Sequence, residues 1–141
     1  MLIYVCTSNT CRSPMAAELA RLKGMGDVVS RSLSMDYEPV GSPANDIAQL
    51  VMREEYGADI GAHRSALLSQ EDVDTCELIV GVSDRHRRII LERFPSSAGK
   101  VVCFSRDVPD PWRQPREVYL VCCQELDALI SAQIQDWSAR K

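Results

Sequence analysis

The chain has 141 residues, close to the roughly 150 expected of one domain and enough to bury a substantial core. Hydrophobic residues make up 45% and charged residues 26%, which excludes a disordered chain. Sixteen Lys and Arg against twenty Asp and Glu leave a net charge of -4. That speaks against a dedicated nucleic-acid binder, which carries a basic surplus.

In chain order, Leu2 to Val5 (L-I-Y-V) predicts a buried strand. A polar turn runs from Cys6 to Arg12, and Ser13-Pro14 then reads as the N-cap and first position of a helix. Met15, Leu19 and Leu22 set its apolar face, and Gly24 stops it. Val28 to Ser32 predicts a second strand, followed by a Pro- and Gly-containing loop from Met35 to Pro43. The next helix reaches about Tyr56, with Ile47, Leu50 and Val51 expected inside. Gly57 to Leu68 reads as a polar connection containing His63. Glu77 to Val82 predicts a central strand, Asp84 to Phe94 a helix stopped by Pro95, and Lys100 to Phe104 a short fourth strand. A closing helix starts near Arg116, its expected apolar stripe being Val118, Cys122, Leu126, Leu129, Ile130, Ile134 and Trp137. Strands alternating with helices predict an α/β fold. The expectation is one domain over residues 1–141, a doubly wound sheet of about four parallel strands with helices on both faces.

The six cysteines, at 6, 11, 76, 103, 122 and 123, do not suit a stapled secreted framework, since the last two are adjacent. Met1 to Cys6 has no basic leader region or cleavage signal, and no stretch reaches the ~20 apolar residues of a membrane span. A cytoplasmic location with reduced thiols is therefore expected, with no membrane and no nucleic acid as partner.

Ligands of such folds sit at the carboxyl ends of the strands. Here the first strand ends in C-T-S-N-T-C-R-S, Cys6 to Ser13: a thiol, five residues, an Arg, a Ser and then a helix. A loop entering a helix aims backbone N–H groups inward, and the helix terminus adds positive potential. A tetrahedral phosphate suits that cradle, and Arg12 can clamp two of its oxygens with its fork. The same field favours the ionised thiol of Cys6, and Ser13 can donate a hydrogen bond to its sulfur. An activated nucleophile beneath a phosphoryl group is the arrangement for a covalent phospho-enzyme. The Walker A pattern G-x-x-x-x-G-K-[ST] is absent.

C-T-S-N-T-C-R-S-P at residues 6–14, so close to the amino terminus, together with Asp110-Pro111-Trp112, resembles the low-molecular-weight protein tyrosine phosphatase family over nearly the whole chain. The resemblance implies that Cys6 is the nucleophile and Arg12 the phosphate and transition-state clamp. It makes Asp110 the acid that protonates the leaving group and then the base that activates water. Backbone N–H groups of residues 7–12 (Thr7, Ser8, Asn9, Thr10, Cys11, Arg12) would hold the phosphoryl oxygens. Asn9, Ser13, Ser32 and His63 match the supporting polar network, and no metal or other cofactor is implied. Trp112 and Tyr37 are expected at the substrate entrance. Ser8 stands where the family usually has Gly, so its backbone must suit a residue with a Cβ. Ser32-Leu33-Ser34 replaces a common Ser-Ala-Gly.

Thr10 resembles the protein-arginine phosphatase branch of the family; tyrosine-directed members usually carry an apolar residue there. Phosphoarginine is accordingly the expected side chain, on a protein substrate, with phosphotyrosine the alternative. Cys11 reads either as a packing residue or as a reversible disulfide partner of Cys6. Asp107 competes with Asp110 for the acid role, and His63 also fits a solvated loop. Arg85, His86, Arg87 and Arg88 read as a solvated face, and the remaining cysteines as packing residues. A thiol-linked arsenate reductase would need redox cysteines clustered near the middle strand, where only Cys76 lies. A non-enzymatic phosphate binder would lack the nucleophile, clamp or acid. A monomer is expected.

Overall fold

The computed structural model describes residues 1–140; Lys141, the expected end of the domain, lies outside the described residues. Four strands, β1 (Leu2–Cys6), β2 (Val28–Ser32), β3 (Leu78–Gly81) and β4 (Val101–Cys103), form one sheet in the order β2-β1-β3-β4. All neighbours are parallel, with Ile3 opposite Val29 and Ile79, and Ile79 opposite Val101. The helices are α1 (Arg12–Leu22), α2 (Asp46–Tyr56), α3 (Gln70–Thr75), α4 (Asp84–Arg93) and α5 (Arg116–Ala139).

The pleat sends alternate residues to opposite faces, and each face has its own core. Leu2, Tyr4, Leu78 and Val80 meet Met15 and Leu19 of α1, Val51 and Met52 of α2, and Leu126 and Ile130 of α5. On the other face Ile3, Val5 and Ile79 meet Val73 of α3 and Ile90 of α4. Central strands covered on both sides read as continuous apolar runs, which is why L-I-Y-V and L-I-V carry so little alternation. The chain turns one way from β1 to β2 and the other way to β3. The carboxyl ends of β1 and β3 therefore flank the point where the strand order reverses, the natural crevice of such sheets.

Several local expectations are corrected. The first helix begins at Arg12, with Cys11 at the cap position and no side-chain cap. Ser13 is thus inside the first turn rather than capping it, and its hydroxyl is free for other work. In α2 the inner face is Ala48, Val51 and Met52, with Ile47 only partly buried, and Leu50 is exposed. In α5 Val118 is exposed, while Tyr119 and Cys123 turn inward. The short α3 was not anticipated; its signal is local, a capping box of Ser69 and Asp72. β3 and β4 are each shorter than their apolar runs.

Both ends of α2 are capped. Asn45 accepts from the N–H groups of Ile47 and Ala48, and Gly57 ends α2 in the left-handed conformation at φ 64°. Gly81, the last residue of β3, has a different reason to be glycine. A Cβ there would lie 2.9 Å from the backbone nitrogen of Arg87 and 3.0 Å from Cβ of His86. The first turn of α4 thus presses against the end of β3 as only glycine permits. Gly81→Ala should destabilise the protein by about 1–3 kcal/mol, read as a lower urea midpoint at unchanged slope.

Candidate functional site

The segment between β1 and α1 doubles back over the end of the sheet. Asn9 takes φ 60°, a left-handed conformation that Asn tolerates better than most residues, while Ser8 keeps a negative φ and carries its Cβ without strain. Asn9 is fully buried, and its polar groups are all engaged. Its Oδ1 accepts from the N–H of Ala66 at 3.1 Å, which orients the amide so that Nδ2 donates to Ser13 Oγ at 2.7 Å. Its carbonyl lies 2.7 Å from His63 Nε2, which must donate, because a carbonyl only accepts. Burial pushes the His63 imidazole below its ordinary pKa, and that hydrogen bond opposes the shift.

Ser13, having accepted from Asn9, keeps its hydroxyl proton for Cys6, whose Sγ is 2.9 Å away. Cys6 Sγ also accepts from the backbone N–H of Asn9 at 3.3 Å. The sulfur therefore meets two donors at the amino-terminal end of α1, an environment that stabilises an anion. Thr10 is held by its carbonyl, which accepts from the N–H of Asn45 at the start of α2, 2.8 Å away.

Arg12 is buried, donating from Nη1 to the Val108 carbonyl at 3.0 Å and pairing through Nη2 with Asp110 Oδ2 at 3.5 Å. Asp110 is half-exposed and its Oδ1 accepts from the N–H of Trp112 at 3.1 Å. The ring of Tyr37 meets that of Trp112 edge-on, with centroids 5.9 Å apart. The Arg113 guanidinium lies 4.2 Å from the Trp112 ring centre. Tyr37, Asp110 and Trp112 line a cleft of about 480 Å³ together with Cys6, Thr7, Thr10, Cys11 and Arg12.

The remaining expected residues fall around this cleft. Asp107 also lines it, but its Oδ1 accepts from the N–H of Asp84 at 2.9 Å. Ser32 lies opposite Cys6 in the sheet, and its hydroxyl donates to the Ala66 carbonyl at 3.2 Å, supporting the residue that orients Asn9. Cys6 and Cys11 are both free thiols. Cys11 Sγ lies 3.5 Å from Tyr119 Oη, and burial pushes its thiol up to about 11. Among the described residues no group of three His, Cys, Asp or Glu side chains could hold a metal ion, and no helix is long and apolar enough to cross a membrane.

The expected solvated face at 85–88 is corrected at one residue. Arg87 and Arg88 do pair outward with Asp84, and Arg85 is exposed at the cleft, but His86 is buried behind the loop. Its Nε2 is 3.0 Å from Thr7 Oγ1 and its Nδ1 is 2.7 Å from Ser83 Oγ. Charged neighbours on both sides mask it in the sequence. The available signal was the position of Ser83, a helix N-cap directly after an apolar strand.

Burial, with the Arg12 and Arg85 guanidiniums nearby, pushes His86 down to about 3 from its ordinary 6.5. The unfolded chain then takes up a proton that the folded chain refuses. His86 therefore contributes full stability above pH 6.5 and loses it progressively as the pH falls toward 3. His86→Gln should flatten that part of the stability–pH curve, measured by urea unfolding across the range.

Known proteins share the sequence family and the fold of this chain. The family model for low molecular weight phosphotyrosine protein phosphatase matches residues 1–139. A protein-arginine-phosphatase of Geobacillus stearothermophilus is 35% identical over 136 residues, covering 92% of this chain and 90% of the relative. A probable low molecular weight protein-tyrosine-phosphatase, EpsP of Ralstonia solanacearum, is 31% identical, covering 99% and 94%. The crystal structure of a low molecular weight protein tyrosine phosphatase from T. tengcongensis superposes with a TM-score of 0.87 at 34% identity, covering 96% of this chain and 97% of that one.

Proposed function

The chain belongs to the low-molecular-weight phosphotyrosine protein phosphatase family, cysteine-dependent enzymes, and we propose that residues 6–13 are its catalytic loop, with Cys6, Arg12 and Asp110 as the reacting and clamping groups. The observation that carries this reading is the sulfur of Cys6, held by Ser13 Oγ and the Asn9 N–H at the start of α1, with Arg12 and Asp110 across the cleft.

In the first step Cys6 Sγ forms a bond to phosphorus as the bond from phosphorus to the substrate oxygen or nitrogen breaks. Asp110 gives its proton to that leaving atom. The loop N–H groups and the Arg12 fork hold the non-bridging oxygens, and such fixed donors stabilise the charge-spread transition state without reorganising. To bind the phosphoryl group, the Arg12 fork exchanges its 3.5 Å contact with Asp110 for the incoming oxygens, which frees the carboxyl group for proton transfer. In the second step Asp110 takes a proton from water as the water oxygen attacks phosphorus and the P–S bond breaks. Inorganic phosphate leaves and the Cys6 thiolate is restored.

Asp107 is a weaker candidate for the acid, since one carboxylate oxygen is tied to the start of α4. Asp110→Asn should lower kcat by about 10²–10⁴-fold on a substrate with a poor leaving group. It should also remove the alkaline-side limb of the pH–rate profile, where the acid has already lost its proton, while Asp107→Asn keeps both limbs. The reverse pattern would move the role to Asp107.

The phosphoryl donor we favour is phosphoarginine on a protein. Thr10 is buried in the loop and lines the cleft, placing a hydroxyl where an aliphatic side chain would offer only an apolar surface to a phenol ring. The Asp107 and Asp110 carboxylates on the facing wall suit a guanidinium, and the relative from Geobacillus stearothermophilus carries that activity in its name. Phosphotyrosine is the second reading, favoured by the Tyr37 and Trp112 rings at the entrance. Turnover of phosphoarginine and phosphotyrosine peptides should favour the former in the wild type by at least about tenfold, a difference of about 1.4 kcal/mol in the barrier. Thr10→Ile should shift the ratio toward phosphotyrosine. Equal ratios in both proteins would refute the assignment. The reading extends to a monomeric enzyme acting in the cytoplasm.

A further inference from the structure

His86 and Ser83 are buried groups that the reaction described above does not use. Their hydrogen bonds have a definite polarity. Ser83 caps α4, its Oγ accepting from the N–H of His86 at 3.4 Å. The hydroxyl proton of Ser83 is left to donate, and His86 Nδ1, at 2.7 Å, is the acceptor it meets. A neutral imidazole that accepts at Nδ1 carries its proton at Nε2. Nε2–H therefore donates to Thr7 Oγ1 at 3.0 Å. Thr7 then keeps its own hydroxyl proton, and among the described residues His86 is the only hydrogen-bond partner of that oxygen. Thr7 follows directly on Cys6, is partly exposed and lines the cleft.

We infer that Ser83 and His86 are positioning residues that turn the Thr7 hydroxyl into a fixed donor on the cleft wall, directed at an oxygen of the bound phosphoryl group. The chain Ser83→His86→Thr7 acts from the α4 side of the loop, opposite the His63 contact to Asn9. It differs from that contact in what it delivers, because His63 ends on a backbone carbonyl and His86 ends on a side chain with a proton to give. The neutral state of His86, set by burial, keeps the polarity of the chain unchanged across the working pH range. Close packing of the first turn of α4 on Gly81 fixes the backbone that carries the ring.

This inference rests on the reading of residues 6–13 as the catalytic loop, and the experiment separates the two. Inhibition by inorganic phosphate and turnover of an aryl phosphate are measured for wild type, Cys6→Ser, Thr7→Val, Thr7→Ser, His86→Phe, His86→Gln and the Thr7→Val/His86→Phe double variant. Thr7→Val should raise the inhibition constant for phosphate by about tenfold, and Thr7→Ser, which keeps the hydroxyl, should stay near wild type. His86→Phe should match Thr7→Val, and His86→Gln, whose amide N–H can replace Nε2–H, should recover most of the affinity. The double variant should be no weaker than the worse single variant, as for two groups acting through one bond. Unchanged phosphate inhibition in Thr7→Val, or multiplied effects in the double variant, would overturn the inference while leaving the catalytic loop standing. The Thr7 pair decides the matter even if His86→Phe fails to fold. Aryl phosphate turnover that survives Cys6→Ser would instead overturn the reading of the loop.

Discussion

The site depends on one buried residue in an unusual conformation. Asn9 must hold φ 60° where the loop doubles back over the end of the sheet, and its side chain compensates the cost of that turn. Its amide binds Ala66 on one side and Ser13 on the other, its carbonyl takes the His63 N–H, and its own N–H reaches Cys6. A single side chain thus links the loop, the first turn of α1 and the segment leading into α3. Losing it would take a hydrogen-bond partner from the Ala66 N–H and from Ser13 Oγ, each at a cost of about 1–3 kcal/mol.

The sheet supplies the setting in which that loop becomes useful. Because β1 and β3 are neighbours at the reversal of strand order, the loop after β1 and the first turn of α4 share one crevice. Arg12 then spans from α1 to the segment carrying Val108 and Asp110, joining the two walls. The result is a local arrangement of donors inside a chain whose net charge is -4. Overall acidity is no obstacle, because backbone N–H groups and one buried guanidinium act at short range where long-range charge is screened.

Much of this was legible from the residues alone. The apolar runs of β1 and β3 marked buried strands, and strands alternating with helices marked a parallel sheet. The spacing from Cys6 to Arg12 and the helix after it marked the candidate loop. What stayed hidden was whatever depends on how distant segments meet. Ser13 reads both as an N-cap and as a donor to Cys6, and only the path of the loop, which starts the helix at Arg12, removes the first role and keeps the second. His86 looked solvated because three arginines surround it in sequence, whereas a helix sends one residue in four inward whatever its neighbours. Leu50 and Val118 failed for the opposite reason, as apolar residues on the edge of a stripe whose centre lay one position away.

The central claim is that phosphoryl transfer passes through the Cys6 sulfur. The most direct measurement is rapid acid quench during turnover of an aryl phosphate, followed by peptide mass analysis. One phosphoryl group is expected on the peptide containing Cys6, bonded to that sulfur, and no sulfur-bound phosphoryl group in Cys6→Ser. Sustained turnover with no phosphocysteine, or a phosphoryl group on Cys11 or Ser13 instead, would contradict it.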